Sequence, residues 1–176
     1  MQNGLIHIYY GNGKGKTSSA IGLCIRALGA DLKVLFVQFL KDNNSSELKI
    51  LREIKKNLVI LEAEPNNNFF HLMTENEKTK TKNNTYSLFI SAINNAINQN
   101  FDVLILDELL DAIELGILKK NEIVKLIKEK PKNLEIVITG HTETIELNEI
   151  ADYLTHFNSK KHPYDKGIKA RKGIEL

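Results

Sequence analysis

The chain has 176 residues, 42% hydrophobic and 26% charged, which is enough apolar material for one domain with a sizeable core. Its formal charge of +2, with acidic and basic residues interleaved, gives no general electrostatic case for nucleic-acid binding. No apolar run approaches the ~20 residues that span a bilayer and no leader pattern opens the chain, so a cytoplasmic protein without a membrane segment is expected. In chain order, "LIHIYY" (5–10), "KVLFVQF" (33–39), "NLVILEA" (57–63), "FDVLILDE" (101–108) and "LEIVIT" (134–139) read as strands. Each is almost continuously apolar, as strands covered on both faces of a parallel sheet are. Helices are predicted at about 16–29, 45–56, 74–99, 119–129 and 143–151. This alternation predicts a three-layer α/β domain of the P-loop, RecA-like kind, with a mostly parallel sheet and right-handed crossovers. One domain over 1–176 is expected, with a basic tail from 158 to 176, punctuated by Gly and Pro, that breaks the pattern. The single Cys24, set among Ile21, Leu23, Ile25 and Leu28, reads as a buried thiol in a reducing compartment.

The segment "YYGNGKGKTSS" joins the first strand to the first helix. The strong phosphate-loop form is Gly, four residues, then Gly-Lys-Ser/Thr; here Gly15, Lys16 and Thr17 supply its end and Tyr10 stands at its first position. Glycines between a strand and a helix let backbone N–H groups turn around an anion at a helix N-terminus. Lys16 would reach phosphate oxygens, the Thr17 hydroxyl would help hold Mg²⁺, and Lys14 adds a second charge. The bland alternative is a Gly/Lys-rich turn, and the strand-to-helix context favours a nucleoside triphosphate site instead. "VLILDE" places Asp107 and Glu108 at the carboxyl end of a buried strand, where open parallel sheets bind ligands. Without the neighbouring loop, these acids would read as caps of the following helix. The long loop "EPNNNFFHLM" (64–73) carries Phe69 and Phe70, which by themselves read as a plug closing the loop onto the sheet.

The order of "GNGKGKTSSAIGLCIRALG" (11–29), "VQFLK" (37–41), "LDEL" (106–109), "VITG" (137–140) and "HPYDKGIKARKGIE" (162–175) resembles the P-loop ATP:corrinoid adenosyltransferases over nearly the whole chain. The tail is the most specific of these segments. The resemblance implies ATP and a corrinoid such as cobalamin as substrates and Mg²⁺ as cofactor. It also implies a homodimer and a reduced flavin protein as electron donor. The implied reaction is attack of Co(I) on the 5′ carbon of ATP with release of triphosphate. ATP would lie reversed in its cradle relative to ordinary NTPases.

Residue by residue, the family's ATP loop falls on Gly11, Asn12, Gly13, Lys14, Gly15, Lys16, Thr17 and Ser18, and a nucleotide-associated arginine on Arg26. Thr17 and Glu108, with Asp107 beside them, fall on the Mg²⁺ ligands. Phe69, Phe70 and His71 fall in the segment that lies against the corrin ring, where Phe69 would push away the lower axial ligand of cobalt. Lys16, Thr17 and Phe69 are therefore the implied catalytic residues. His162, Asp165, Lys166 and Lys169 would shape the nucleotide side of the pocket, a solvated basic tail being the alternative. This chain departs from the family at Tyr10, where a small polar residue is common. It departs again at His71, where Trp is common, and at His141, where Arg usually follows Thr-Gly. The first strand begins so early that the N-terminal lid of many relatives is not expected.

Two rivals share the cradle. A generic ATPase or nucleotide kinase would transfer the γ-phosphoryl group and would need an arginine finger or an Arg-rich lid. The arginines here are only Arg26, Arg52 and Arg171. A nucleotide-dependent binding module for nucleic acid would need a basic stripe or an aromatic platform, and neither is present.

Overall fold

The computed structural model describes residues 3–41, 45–64 and 70–174. Six strands run through it: β1 (Ile6–Tyr10), β2 (Val34–Gln38), β3 (Leu58–Glu62), β4 (Val103–Asp107), β5 (Glu135–Gly140) and β6 (Tyr153–His156). The helices are α1 (Lys16–Gly29), α2 (Ser46–Leu51), α3 (Glu75–Asn98), α4 (Leu109–Glu114), α5 (Lys120–Lys128) and α6 (Ile145–Asn148). Short 3-10 turns lie at Phe70–Leu72 and Pro163–Lys166. The strands form one sheet in the order β3-β2-β4-β5-β1-β6, and every pair is parallel.

Alternate residues of the strands feed two cores, because successive side chains of a strand point to opposite faces. Leu35, Val37, Leu104, Leu106, Ile136 and Ile138 pack with α3, α4 and α5 on one face. Val34, Phe36, Val103, Ile105 and Val137 pack with α1 and α2 on the other. This two-sided burial is why the strands read as continuous apolar runs. Cys24 belongs to the α1 face, fully buried, and desolvation pushes its thiol up to about 11. No helix among the described residues is long and apolar enough to cross a membrane.

Two helices end earlier than the sequence expectations, and helix α4 and strand β6 were not among the predicted elements. The helix expected over 143–151 is only α6, after which the chain turns into β6. Thr144 caps α6, and the Asp152 carboxylate accepts the Ile6 N–H at 2.8 Å, drawing the chain onto β1. β6 was not legible because all four of its residues are exposed and carry no apolar alternation. The helix expected over 45–56 stops at Leu51, where Arg52 turns to pair with Glu62 of β3 at 2.8 Å. α3 matches its expectation and opens with a capping box between Thr74 and Glu77.

Since all strands are parallel, their carboxyl ends gather Tyr10, Gln38, Asp107, Gly140 and His156 on one edge of the sheet. β5 ends there against α4 with no room to spare: a Cβ on Gly140 would lie 2.4 Å from Leu110 Cβ and 2.9 Å from Asp111 Oδ2. Leu110 Cβ is fixed to its helix and cannot swing aside. Gly140→Ala is therefore expected to cost about 1–3 kcal/mol through overpacking, measured as a lower midpoint of denaturant unfolding at unchanged slope.

Candidate active site

β1 ends at Tyr10, and the loop from Gly11 to Gly15 is held on both sides. The Gly11 N–H donates to the His141 carbonyl at 2.9 Å and the Gly13 N–H to the Phe157 carbonyl at 2.7 Å. Gly11 has φ +116°, and a Cβ there would lie 2.3 Å from the Phe157 carbonyl oxygen. Only glycine permits both the backbone turn and this close approach. The Tyr10 ring leaves the loop and stacks on His156 at a centroid distance of 4.8 Å. The unusual first position of the motif thus serves the β1–β6 seam.

α1 begins at Lys16, with no acidic residue in its first turn and no side-chain cap. Its N–H groups and dipole are therefore open to an anion. The Lys16 ammonium curls into the loop and donates to the Gly11 and Gly13 carbonyls at 2.7 and 3.1 Å. Burial lowers its pKa, against the pull of Asp111, Glu108 and Asp107.

Asp107 is the hub of the site. It is fully buried at the end of β4. Its Oδ1 accepts the hydroxyls of Thr17 at 2.9 Å and Thr139 at 2.7 Å. Its Oδ2 accepts Gln38 Nε2 at 3.2 Å and the Lys41 ammonium at 3.1 Å. β5 lies between β1 and β4, so Thr139 bridges the gap and also accepts the Glu108 N–H at 2.9 Å. Glu108 adopts a left-handed backbone, φ 63°, which redirects the chain into α4. Its carboxylate and that of Glu47 stand 3.5 and 3.9 Å from Lys41. Burial raises the Glu108 pKa from 4.5 to about 7, with Lys41 opposing and Asp107 and Asp111 adding to the rise. Burial works against the charge of Lys41, but Asp107, Glu108 and Glu47 outweigh it and raise its pKa.

Above these groups opens a cavity of about 730 Å³. One wall is the loop from Asn12 to Ser18, and the floor holds Lys41, Glu47, Glu108 and His141. The tail supplies the opposite wall with His162, Pro163, Tyr164, Ile168, Lys169 and Ile174. A polyanion can therefore lie on the loop side while a flat apolar group meets Tyr164 and Ile168.

Of the residues singled out from the sequence, the loop residues, Glu108, His162 and Lys169 meet at this cavity, with Gly11 and Asp107 directly beneath it. Asp165 and Lys166 sit on the 3-10 turn of the tail and do not line it. Arg26 is exposed in the last turn of α1, ten residues past Lys16 and about 15 Å along the axis, so the fold does not bring it to the cavity. Phe70 and His71 form a 3-10 turn outside the lining, with the Lys82 ammonium 6.0 Å from the Phe70 ring centroid. Phe69 lies outside the described residues.

Gln38, Lys41, Asp111 and Thr139 are site residues that sequence reasoning passed over. Gln38 and Lys41 carried a signal, being polar positions at the carboxyl end of an otherwise apolar strand. Thr139 stood within the "VITG" segment of the resemblance but was given no role, and Asp111 carried no signal, since an acid in a helix is unremarkable.

A parallel sheet with a glycine-rich loop entering a helix, and an acid two strands away bound to the loop threonine, defines a P-loop nucleotide-binding protein. The profile of the family "ATP:corrinoid adenosyltransferase BtuR/CobO/CobP" matches residues 2–176. The chain belongs to this family and is a transferase. A corrinoid adenosyltransferase of Pseudomonas aeruginosa is 30% identical, the match covering 99% of this chain and 85% of the relative. A corrinoid adenosyltransferase of Escherichia coli K12 is 29% identical over 99% of this chain and 86% of its own length. Corrinoid adenosyltransferase CobA of Salmonella typhimurium is 28% identical, with 99% and 86% covered.

The raised pKa of Glu108 has a consequence for stability. An acid whose folded pKa lies above its unfolded value binds its proton more tightly when folded. The folded state therefore loses stability as pH rises from 4.5 towards about 7. Glu108→Gln removes this loss. Without ligands it is expected to be more stable than wild type above about pH 7, by roughly 1–3 kcal/mol, with the gap closing in acid. Thermal unfolding across that pH range checks the sign.

Proposed function

We infer that the protein moves the 5′-deoxyadenosyl group of ATP to Co(I) of a corrinoid substrate and releases triphosphate. The reading is supported most directly by the cavity itself. It joins a phosphate loop and acid cluster, common to many NTPases, to the signature tail of one family. In the reaction the cobalt of the substrate donates an electron pair to the 5′ carbon, forming the cobalt–carbon bond. The bond from that carbon to oxygen breaks, and its electron pair leaves on the triphosphate. No proton is abstracted, so no general base is required.

The chain's task is then to hold the triphosphate and spread its charge. Lys16 and the amides of Lys14 to Ser18 would surround the phosphate position, and Lys14 and Lys169 line the cavity beside it on two walls. Lys16 would leave the Gly11 and Gly13 carbonyls for phosphate oxygens, exchanging two neutral acceptors for charged ones. Tyr164 and Ile168 offer a surface for the adenine or for corrin edges.

Mg²⁺ suits the donors present: Thr17 Oγ1 and the carboxylates of Asp107 and Glu108 are hard oxygens on one side of the loop. Among the described residues no three His, Cys, Asp or Glu side chains are placed to hold a metal ion by themselves, so the ion would complete its shell with water and phosphate. When bound, it would neutralise charge developing on the leaving triphosphate. Within the same reading, residues 1–176 act as one domain, Phe69, Phe70 and His71 meet the corrinoid, and Phe69 displaces its lower ligand. A cytoplasmic homodimer supplied with electrons by a reduced flavin protein completes it.

Anaerobic incubation with Mg-ATP and chemically reduced cobalamin tests the reading. Loss of the Co(I) spectrum and appearance of a light-sensitive alkylcobalamin are expected, and persistence of Co(I) beside bound ATP would overturn it. Lys16→Ala should lower kcat/KM by about 10²–10³-fold, the usual effect of removing one charge-stabilising donor.

A further inference from the structure

His141 follows β5 directly and lines the same cavity as the phosphate loop. One carboxylate holds it twice: its N–H and its Nδ1 lie 3.2 and 2.8 Å from Asp111 Oδ1. Its carbonyl in turn holds the Gly11 N–H at 2.9 Å, so the residue is fastened to the loop. The side chain of His141 is 61% exposed and that of Asp111 15%. Nε2 is the nitrogen left over, and it has no hydrogen-bond partner among the described residues.

A carboxylate only accepts hydrogen bonds, so Nδ1 must carry the hydrogen that meets Asp111. In the neutral ring Nε2 then holds a lone pair. A phosphate oxygen is also an acceptor, and the two repel. Adding one proton turns Nε2 into a charged donor without moving the ring. His162, on the tail wall, has the reverse arrangement. Its Nδ1 accepts the Tyr164 N–H at 3.2 Å, which leaves the hydrogen on Nε2 even in the neutral ring. The cavity therefore has one unconditional imidazole donor and one conditional donor.

We propose that His141 and Asp111 form a proton-dependent phosphate ligand, in which Asp111 fixes the tautomer so that only the imidazolium offers an N–H to the triphosphate of the nucleotide. This rests on the reading of the cavity as the ATP site. Asp111 of α4 favours the charged ring through its hydrogen bond, and burial opposes it. The Asp111 charge adds to the rise, Lys16 of α1 acts against it and Glu108 adds a little more, leaving the pKa raised. Lys14, Lys41, Glu47, His162, Tyr164 and Lys169 are the other charged or titratable groups lining the cavity. Glu143, two residues along, is engaged by the Tyr10 hydroxyl. Affinity supplied by the imidazolium is fully present on the acid side of the His141 pKa and is lost as pH rises through it. By linkage, bound triphosphate raises that pKa further.

The test is Mg-ATP binding by the full chain, measured calorimetrically from the acid to the alkaline side of histidine titration. Wild type, His141→Arg and His141→Gln are compared, the exposed side chain making both variants compatible with folding. Dividing each wild-type affinity by that of His141→Arg removes the nucleotide's own protonation. This ratio is expected to fall about tenfold as pH rises, the worth of one charge-assisted hydrogen bond, while the Gln-to-Arg ratio stays flat. ¹⁵N spectra should show the neutral His141 ring with hydrogen on Nδ1, and Mg-ATP should move its titration to higher pH. A wild-type ratio independent of pH, or a neutral ring with hydrogen on Nε2, would overturn the proposal. Failure of all three proteins to bind Mg-ATP would instead overturn the reading of the cavity.

Discussion

The site is organised around one buried carboxylate. Asp107 carries its charge at the end of a strand that is covered on both faces, and it is tolerated there because four donors converge on its two oxygens. Those donors come from three elements and one connecting segment: Thr17 from α1, Gln38 from β2, Thr139 from β5, and Lys41 from just beyond β2. The requirement to satisfy one anion thus ties together the loop helix, the two strands flanking β4 and the chain entering α2. Removing any one partner would leave a share of that charge uncompensated, which in buried networks costs far more than the pair contributes net.

The same arrangement links architecture to chemistry. An all-parallel sheet brings every strand's carboxyl end to one edge, and the order β3-β2-β4-β5-β1-β6 sets β5 between the loop strand and the acid strand. Thr139 and His141 are the two ends of that inserted strand's contribution, one bound to Asp107 and the other to Gly11. The glycine loop is pressed against Phe157 on its other side, and the tail that follows Phe157 goes on to wall the cavity. Lys41, with Asp107, Glu108 and Glu47 around it, supplies cationic charge among these oxygens. On the proposed reading, a site so built handles the charge of a triphosphate rather than the transfer of a proton.

The three-layer α/β class and strands β1 to β5 were legible in the sequence because burial on both faces leaves a plain mark, a run of apolar residues such as "VLILD". The loop residues were legible because glycine and lysine in that context have few other uses. β6 left no such mark, since an exposed edge strand is specified by backbone pairing to β1 and by Asp152 rather than by apolar side chains. Tyr10, an oddity in the motif, became intelligible only when His156 was found beneath its ring. The tail segment was legible through its resemblance to one family, yet only His162 and Lys169 of its four expected residues face the cavity. Asp111 was invisible because its role depends on a residue thirty positions away. Long-range pairing of single polar residues has no periodicity to read.

The central claim is that this site neutralises a triphosphate as it leaves the ribose carbon, instead of passing on a phosphoryl group. ³¹P spectroscopy of the products of a single anaerobic turnover, with Mg-ATP and one equivalent of Co(I) corrinoid, tests it most directly. The account predicts intact triphosphate in amounts equal to the adenosylated corrinoid. Formation of ADP and inorganic phosphate, independent of the corrinoid, would contradict it and return the protein to the ordinary phosphoryl-transferring NTPases.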